Sequence, residues 1–348
     1  MINIRGWWPT LACLGLFIIA IAAAAKGGGW TTWSPVLVGS SGAMQFAMAV
    51  VTWKVLDDRI AAGRGQGHGD AYLPWLWIHR KNVSGRGNQV VDPMPGYRRA
   101  SHFLAQVEWH VGLLCIYLGA LDVREQFPLW PQPHPHPLAD YAPSQQGWSC
   151  CRGLIAISQE LGVDHGREVG SDAPYVATID IAATVKRATG YGIAGIALKP
   201  HELILSSEPT DRINERLAME QVCMTDYGAT HKVVDRSLLG HSTGGNLELL
   251  SSGARLPERL QDKAMLSKFR ERFIDAATLT SISRGIDRTG AALDLNPMDA
   301  NLVWRHLTWH RRIELDITLP IQMGIPLALG GRKIADALTR ELFGEVVP

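Results

Sequence analysis

The 348-residue chain lacks an excess of either charge: 34 lysines and arginines stand against 33 acids, for a formal net charge of +1. A uniformly basic coat is thereby excluded, and any contact with nucleic acid has to come from local patches. Charged residues make up only 19% and hydrophobic residues 46%, which supplies a packed core and excludes global disorder. Cysteine is scarce: Cys13, Cys115, Cys150, Cys151 and Cys223 are odd in number and contain no C-x-x-C spacing. That argues against a disulfide framework or a zinc-cysteine cluster and for a reducing compartment. The length fits one large domain or two ordinary ones.

One long apolar run is present. Leu11 to Ala25 carry no charge and lie between Arg5 and Lys26. The pattern has the shape of a signal peptide, and it is short of the roughly 20 apolar residues that span a bilayer. Residues 1–47 are read as an apolar extension, either dispensable or membrane-associated, and a chain starting at Met48 is expected to be soluble and as competent as the whole.

Gly63-Arg64-Gly65-Gln66-Gly67-His68-Gly69 is rich in glycine. No strand precedes it and no Lys-Ser/Thr follows, so it reads as a flexible turn rather than a phosphate cradle. His79 to Arg99 is locally basic, with Arg80, Lys81, Arg86, Arg98 and Arg99 against the single acid Asp92. It is either a DNA-backbone contact or a solvated loop; Arg64 and His68 are further candidates for backbone contact. His134-Pro135-His136-Pro137 reads as a stiff loop, because two histidines do not fill a metal site.

Helical spacing covers Ala100 to Gly119, and a strand is expected over Leu121 to Phe127, ending at Pro128. Arg124 and Glu125 read either as a structural ion pair or as DNA contacts, and Gln126 as a possible donor to a phosphate. Strands are expected at Tyr175–Thr184, Ile193–Leu198 and His231–Val234, with a helix over Asp211–Tyr227. Beyond about Leu239 come helices at Leu256–Ala277 and Asp299–Trp309 and a strand at Ile313–Thr318, the outline of a small winged-helix-like domain. The organisation expected is an α/β core over 48–239 followed by a mainly α domain over 240–348.

Glu108 falls on a helix, Asp180 in a strand, and Lys199 after the next strand. Two carboxylates converging at a sheet edge hold hard divalent cations through oxygen, and a neighbouring lysine positions water and offsets charge on a phosphate. This is the arrangement of a restriction-endonuclease-like core. A buried, salt-bridged aspartate beside a surface lysine has the same spacing.

Arg59 to Trp75 (RIAAGRGQGHGDAYLPW), Ser84-Gly85-Arg86, Arg98 to Glu108 and Asp122 to Leu129 (DVREQFPL) resemble the TnsA family, the endonuclease subunit of heteromeric cut-and-paste transposases. The resemblance resumes at Leu161 to His165, Thr178 to Asp180, Leu198 to Pro200 and Arg216 to Glu220. It implies a restriction-endonuclease-like domain followed by a winged-helix-like one. It further implies Mg²⁺-dependent hydrolysis of the 5′ strand at transposon ends, through two ions for which Mn²⁺ substitutes. The catalytic set it implies is Glu108, Asp180 and Lys199, with Glu108 and Asp180 as metal ligands. The partners implied are double-stranded DNA at transposon ends, a DDE transposase of the TnsB kind and an ATP-dependent regulator of the TnsC kind, in the bacterial cytoplasm.

The sequence departs from the family pattern at Ala197, where a glutamine is expected two residues before the lysine, and at Ile179, where a small polar residue is usual. Ala105-Gln106-Val107 replaces a more polar stretch, and Cys223-Met224 an aromatic pair. These departures leave a second reading: an assembly subunit that binds transposase and regulator without cutting.

Overall fold

A computed structural model describes residues 51–79, 88–200 and 211–344. The apolar extension over 1–47 and the candidates Arg80, Lys81 and Arg86 lie outside the described residues. α1 (Trp53–Ala61) starts where the Thr52 hydroxyl accepts the Val55 N–H. β1 (Val90–Asp92) and β2 (Ser101–Phe103) form a two-stranded antiparallel ribbon. The helix expected from Ala100 begins later, as α2 (Gln106–Tyr117). Glu108, in its first turn, reaches back so that its carboxylate accepts from the Leu104 N–H at 2.9 Å, just ahead of the N-cap Ala105. α2 is apolar nearly all round and is buried accordingly.

β3 (Asp122–Leu129), α3 (Leu154–Leu161), β4 (Ala177–Arg187), β5 (Gly190–Leu198), α4 (Asp211–Asp226) and β6 (Thr230–Val234) follow. They form a sheet in the order β3-β4-β5-β6. The first three strands are antiparallel, whereas β6 runs parallel to β5. A parallel neighbour requires a crossover, and α4 supplies its helix. β3 continues through Pro128 to Leu129, beyond the expected end. It is an edge strand of this sheet, the place where a residue without an N–H is tolerated.

Each face of the sheet carries a core. Val123, Ile181, Ala183, Val185, Ala194 and Ile196 belong to the first, with α2. Phe127, Leu129, Ile179, Ala182, Ile193 and Ala197 belong to the second, with Leu154 and Ile157 of α3 and Met219 and Cys223 of α4. In β5 the two cores alternate residue by residue. In β3 and β4 they do not: Val123 faces one core while Phe127 and Leu129 face the other, although a period of two would align all three. The cause is Gln126, which has φ +47°. Glu125 pairs with Ile181 and Phe127 with Ile179, while Gln126 and Asp180 between them form no ladder pair.

The remaining helices are α5 (Thr243–Ser251), α6 (Lys263–Leu279), α7 (Ile282–Ala292), α8 (Pro297–Trp309) and α9 (Gly331–Phe343). α6 starts at Lys263 rather than Leu256, because Pro257 opens a separate 3-10 turn and Asp262 caps the N–H groups of Ala264 and Met265. The strand expected at Ile313–Thr318 is not formed; one antiparallel bridge joins Leu315 to Leu329. The Asp316 carboxylate accepts from the Thr318 N–H and hydroxyl, a local turn that competes with strand pairing. Leu247, Phe269, Phe273 and Trp304 from these helices lie in the first core, and all described residues belong to one compact unit.

Candidate functional site: two carboxylates and a lysine at a broken strand pair

Glu108, Asp180 and Lys199 come together where the β3–β4 ladder is interrupted. Lys199 Nζ lies 3.9 Å from Asp180 Oδ2, and the Leu198 N–H donates to the same oxygen at 2.6 Å. Lys199 follows β5, and its own N–H donates to the Val234 carbonyl of β6. Glu108, 8% exposed, accepts from Leu104 N–H and from the Gln126 side-chain amide at 3.1 Å. The Gln126 amide oxygen in turn accepts from the Thr178 hydroxyl at 3.1 Å.

Burial pushes the Glu108 carboxyl up to about 8, and the nearby Asp180 carboxylate pushes in the same direction. Asp180 is also raised, by burial first, with the Lys199 ammonium and the Leu198 N–H opposing. Two carboxyls held close, one buried and one half-buried, resist carrying two charges. A divalent cation between them removes that resistance, so the pair fits an oxygen-ligated metal. Among the described residues no group of three His, Cys, Asp or Glu side chains is placed to hold a metal. Glu108 and Asp180 would therefore leave most of a cation's shell to water, carbonyls and substrate oxygens, as Mg²⁺ commonly has it.

The other sequence candidates lie elsewhere. Arg99 is engaged within the fold, donating from both terminal nitrogens to Glu125 at 2.6 and 2.8 Å, and only 8% of its side chain is exposed. Glu125 therefore pairs with Arg99 and not with Arg124, a correction to the reading of the adjacent pair. Neighbours on a strand point to opposite faces and cannot meet. Arg124 is buried beside Asp122 (3.9 Å) and over the Phe127 ring. Gln126 donates to Glu108, not to an external phosphate.

His68 lies 3.3 Å from Asp122 and 3.0 Å from Asp140, and Gly69 N–H and Tyr97 hydroxyl both donate to Asp122. The glycine loop is thus pinned rather than a flexible turn. At Gly67, with φ +84°, an added Cβ would sit 2.6 Å from the Ala71 carbonyl oxygen, so only glycine closes this turn. Arg64 stacks over the Trp77 ring, 4.3 Å to its centroid. Arg98 is exposed, its N–H donating to Asp70. His134 and His136 bind the hydroxyl and the carbonyl of Tyr227 and hold their loop to the end of α4.

Gln126 holds the candidate ligand Glu108, a contact that the strand pattern did not predict. A glutamine among positions that are all buried in one strand was the available signal. Ala197, fully buried in the second core, offers no side-chain ligand.

No family model matches the chain. A 74-residue stretch, 21% of the chain, is 43% identical to the transposon Tn7 transposition protein TnsA of Escherichia coli and covers 26% of that protein's length. What the comparison shows is a TnsA-like protein, the likeness spanning about a quarter of the curated relative it matches.

Proposed function

We propose that this protein is the DNA endonuclease subunit of a heteromeric transposase, cutting the 5′ strand at transposon ends with Mg²⁺. The observation that carries the reading is the convergence of Glu108, Asp180 and Lys199 on one interruption in the sheet. The relative's printed role in transposition points the same way. Glu108 and Asp180 would hold the metal, one ion or two, with Mn²⁺ as substitute. The metal supplies a polarised phosphate oxygen and an acidified water. Gln126 and Leu104 N–H orient Glu108, and Leu198 N–H orients Asp180. The Lys199 ammonium orients the attacking water and offsets charge on the phosphate. The water oxygen bonds to phosphorus as the bond to the leaving sugar oxygen breaks; the water's proton leaves to solvent, and the leaving oxygen takes a proton up from solvent.

Arg98 and Arg64, with Arg80, Lys81 and Arg86, would follow the duplex backbone. The division at 239, a winged-helix-like role for 240–348, a DDE transposase and an ATP-dependent regulator as partners, and a cytoplasmic location belong to the same proposal. No helix among the described residues is long and apolar enough to cross a membrane.

The test is strand cleavage of labelled transposon-end DNA by this chain with its transposase and Mg²⁺. A 5′-strand cut that disappears in Asp180→Ala is the expected result; a cut of equal rate in the variant overturns the assignment. One observation favours a non-cutting assembly subunit: Ala197 replaces the family's glutamine and is turned into a core. Carboxylate-dependent Mg²⁺ or Mn²⁺ binding, by calorimetry, separates the two readings.

A further inference from the structure

We infer that the cavity beside Asp180, between the 165–167 loop and α4, is a subsite for a backbone phosphate of the substrate DNA strand. The inference rests on the nuclease reading and deepens it, by naming what holds the strand next to the reacting bond. The cavity measures about 180 Å³ and is lined by His165, Arg167, Tyr175, Arg212, Arg216 and Glu220 among others.

Arg216 carries the argument. Its guanidinium lies over the Tyr175 ring, 5.4 Å from the centroid, and makes no hydrogen bond or ion pair among the described residues. A planar, weakly hydrated cation stacked on an aromatic ring, with no acid in hydrogen-bond or ion-pair contact among the described residues, is a ready phosphate ligand. Glu220, one helical turn along α4, is spaced to neutralise it. It does not: its carboxylate is buried with neither oxygen hydrogen-bonded, and Oε2 lies 3.6 Å from His231 Nε2 on β6.

His165 adds an independent observation. Its Nδ1 lies 2.9 Å from the Gly166 carbonyl, while Nε2 is buried without a partner. With Nδ1–H donated to that carbonyl, Nε2 of the neutral ring is an acceptor, which a water bound beside the phosphate would satisfy. Arg212 fixes the loop by donating to the carbonyls of Asp164 and His165, with Glu215 as its acid. Three guanidinia therefore line a cavity whose one acid is turned toward histidine. Arg216 and Glu220 both lie within electrostatic reach of Asp180, which places the cavity beside the proposed cutting site.

The experiment measures binding of the full chain to a labelled transposon-end duplex over a range of salt concentrations, with the cut position mapped in parallel. Arg216→Gln is expected to lower the slope of log K against log salt by about 0.9, the loss of one phosphate contact. It should also spread the cut over neighbouring bonds. Arg216→Lys should keep the slope, because the charge remains, yet still blur the position, because the stacked fork is gone. Arg167→Gln, at the exposed rim, tests the same cavity without touching a core. Asp180→Asn should abolish cutting and leave the slope in place. An unchanged slope in both glutamine variants, or no binding by the wild-type chain, overturns the subsite. An Arg216-dependent slope in a chain that never cuts overturns the nuclease reading alone.

Discussion

A carboxyl group that resists ionisation is a latent cation ligand, and Glu108 is such a group. Its raised value, about 8 against 4.5, means that the folded protein without metal keeps a proton the unfolded chain has already released. The stability this contributes is complete below 4.5 and is lost as pH rises to about 8. In chelator, the melting temperature should fall between pH 5 and 8, with Asp180 acting in the same direction. Glu108→Gln should flatten that fall; a variant that keeps the full slope would place its origin elsewhere. The buried Arg99–Glu125 pair gives a second residue-scale expectation. Glu125→Ala leaves an uncompensated guanidinium and should cost about 3–5 kcal/mol by urea denaturation, whereas a double replacement by leucine should recover much of it. The grouping of Glu108, Asp180 and Lys199 was expected from the family resemblance, since their spacing alone fits a buried salt bridge as well. The partners of Arg99 and Gln126 were not legible in the sequence, because pairing across 26 and 18 positions of chain depends on three-dimensional placement.

Strand β5 decides what Ala197 means. Its side chain faces the second core with Ile193, among Met219, Cys223 and Met224 of α4. Installing the family's residue by Ala197→Gln would force a long polar side chain into a filled space. The expected result is a loss of about 1–3 kcal/mol without any gain in Mg²⁺ affinity or cleavage. A gain in either would show that position 197 reaches the site by its side chain. The extents of α4 and β6 follow the hydrophobic spacing closely, since the one is amphipathic and the other β-forming, whereas β5 begins three residues earlier, at Gly190. The late start of α6 was hidden because Pro257 and Asp262 interrupt a run whose apolar spacing continues across them. The missing strand at Ile313–Thr318 had the alternation of a strand, but Asp316 turns the backbone on itself. The interruption at Gln126 was invisible for another reason: a left-handed residue outside glycine has no signature in a hydrophobic pattern.

Across the whole molecule, the pieces of the site come from α2, β4 and the residue after β5, and that residue is tied down by β6 through the Lys199 N–H to the Val234 carbonyl. Composition and spacing revealed an α/β order but not which strand would lie parallel, because strand neighbours are chosen by long-range packing. The parallel β5–β6 pair has a consequence in time. Contacts distant in sequence close late, since the chain between them must first surrender its freedom. A chain emerging from the ribosome presents both acids well before it presents β6, so its lysine stays unanchored until the crossover has folded back. Hydrogen exchange at the Lys199 amide should rise and fall with that of β6, not with that of the β4–β5 hairpin; protection shared with the hairpin instead would contradict this order. If the proposed function holds, the cutting centre stays incomplete while the chain is still being made, and the site would cut no nearby DNA until β6 has paired with β5.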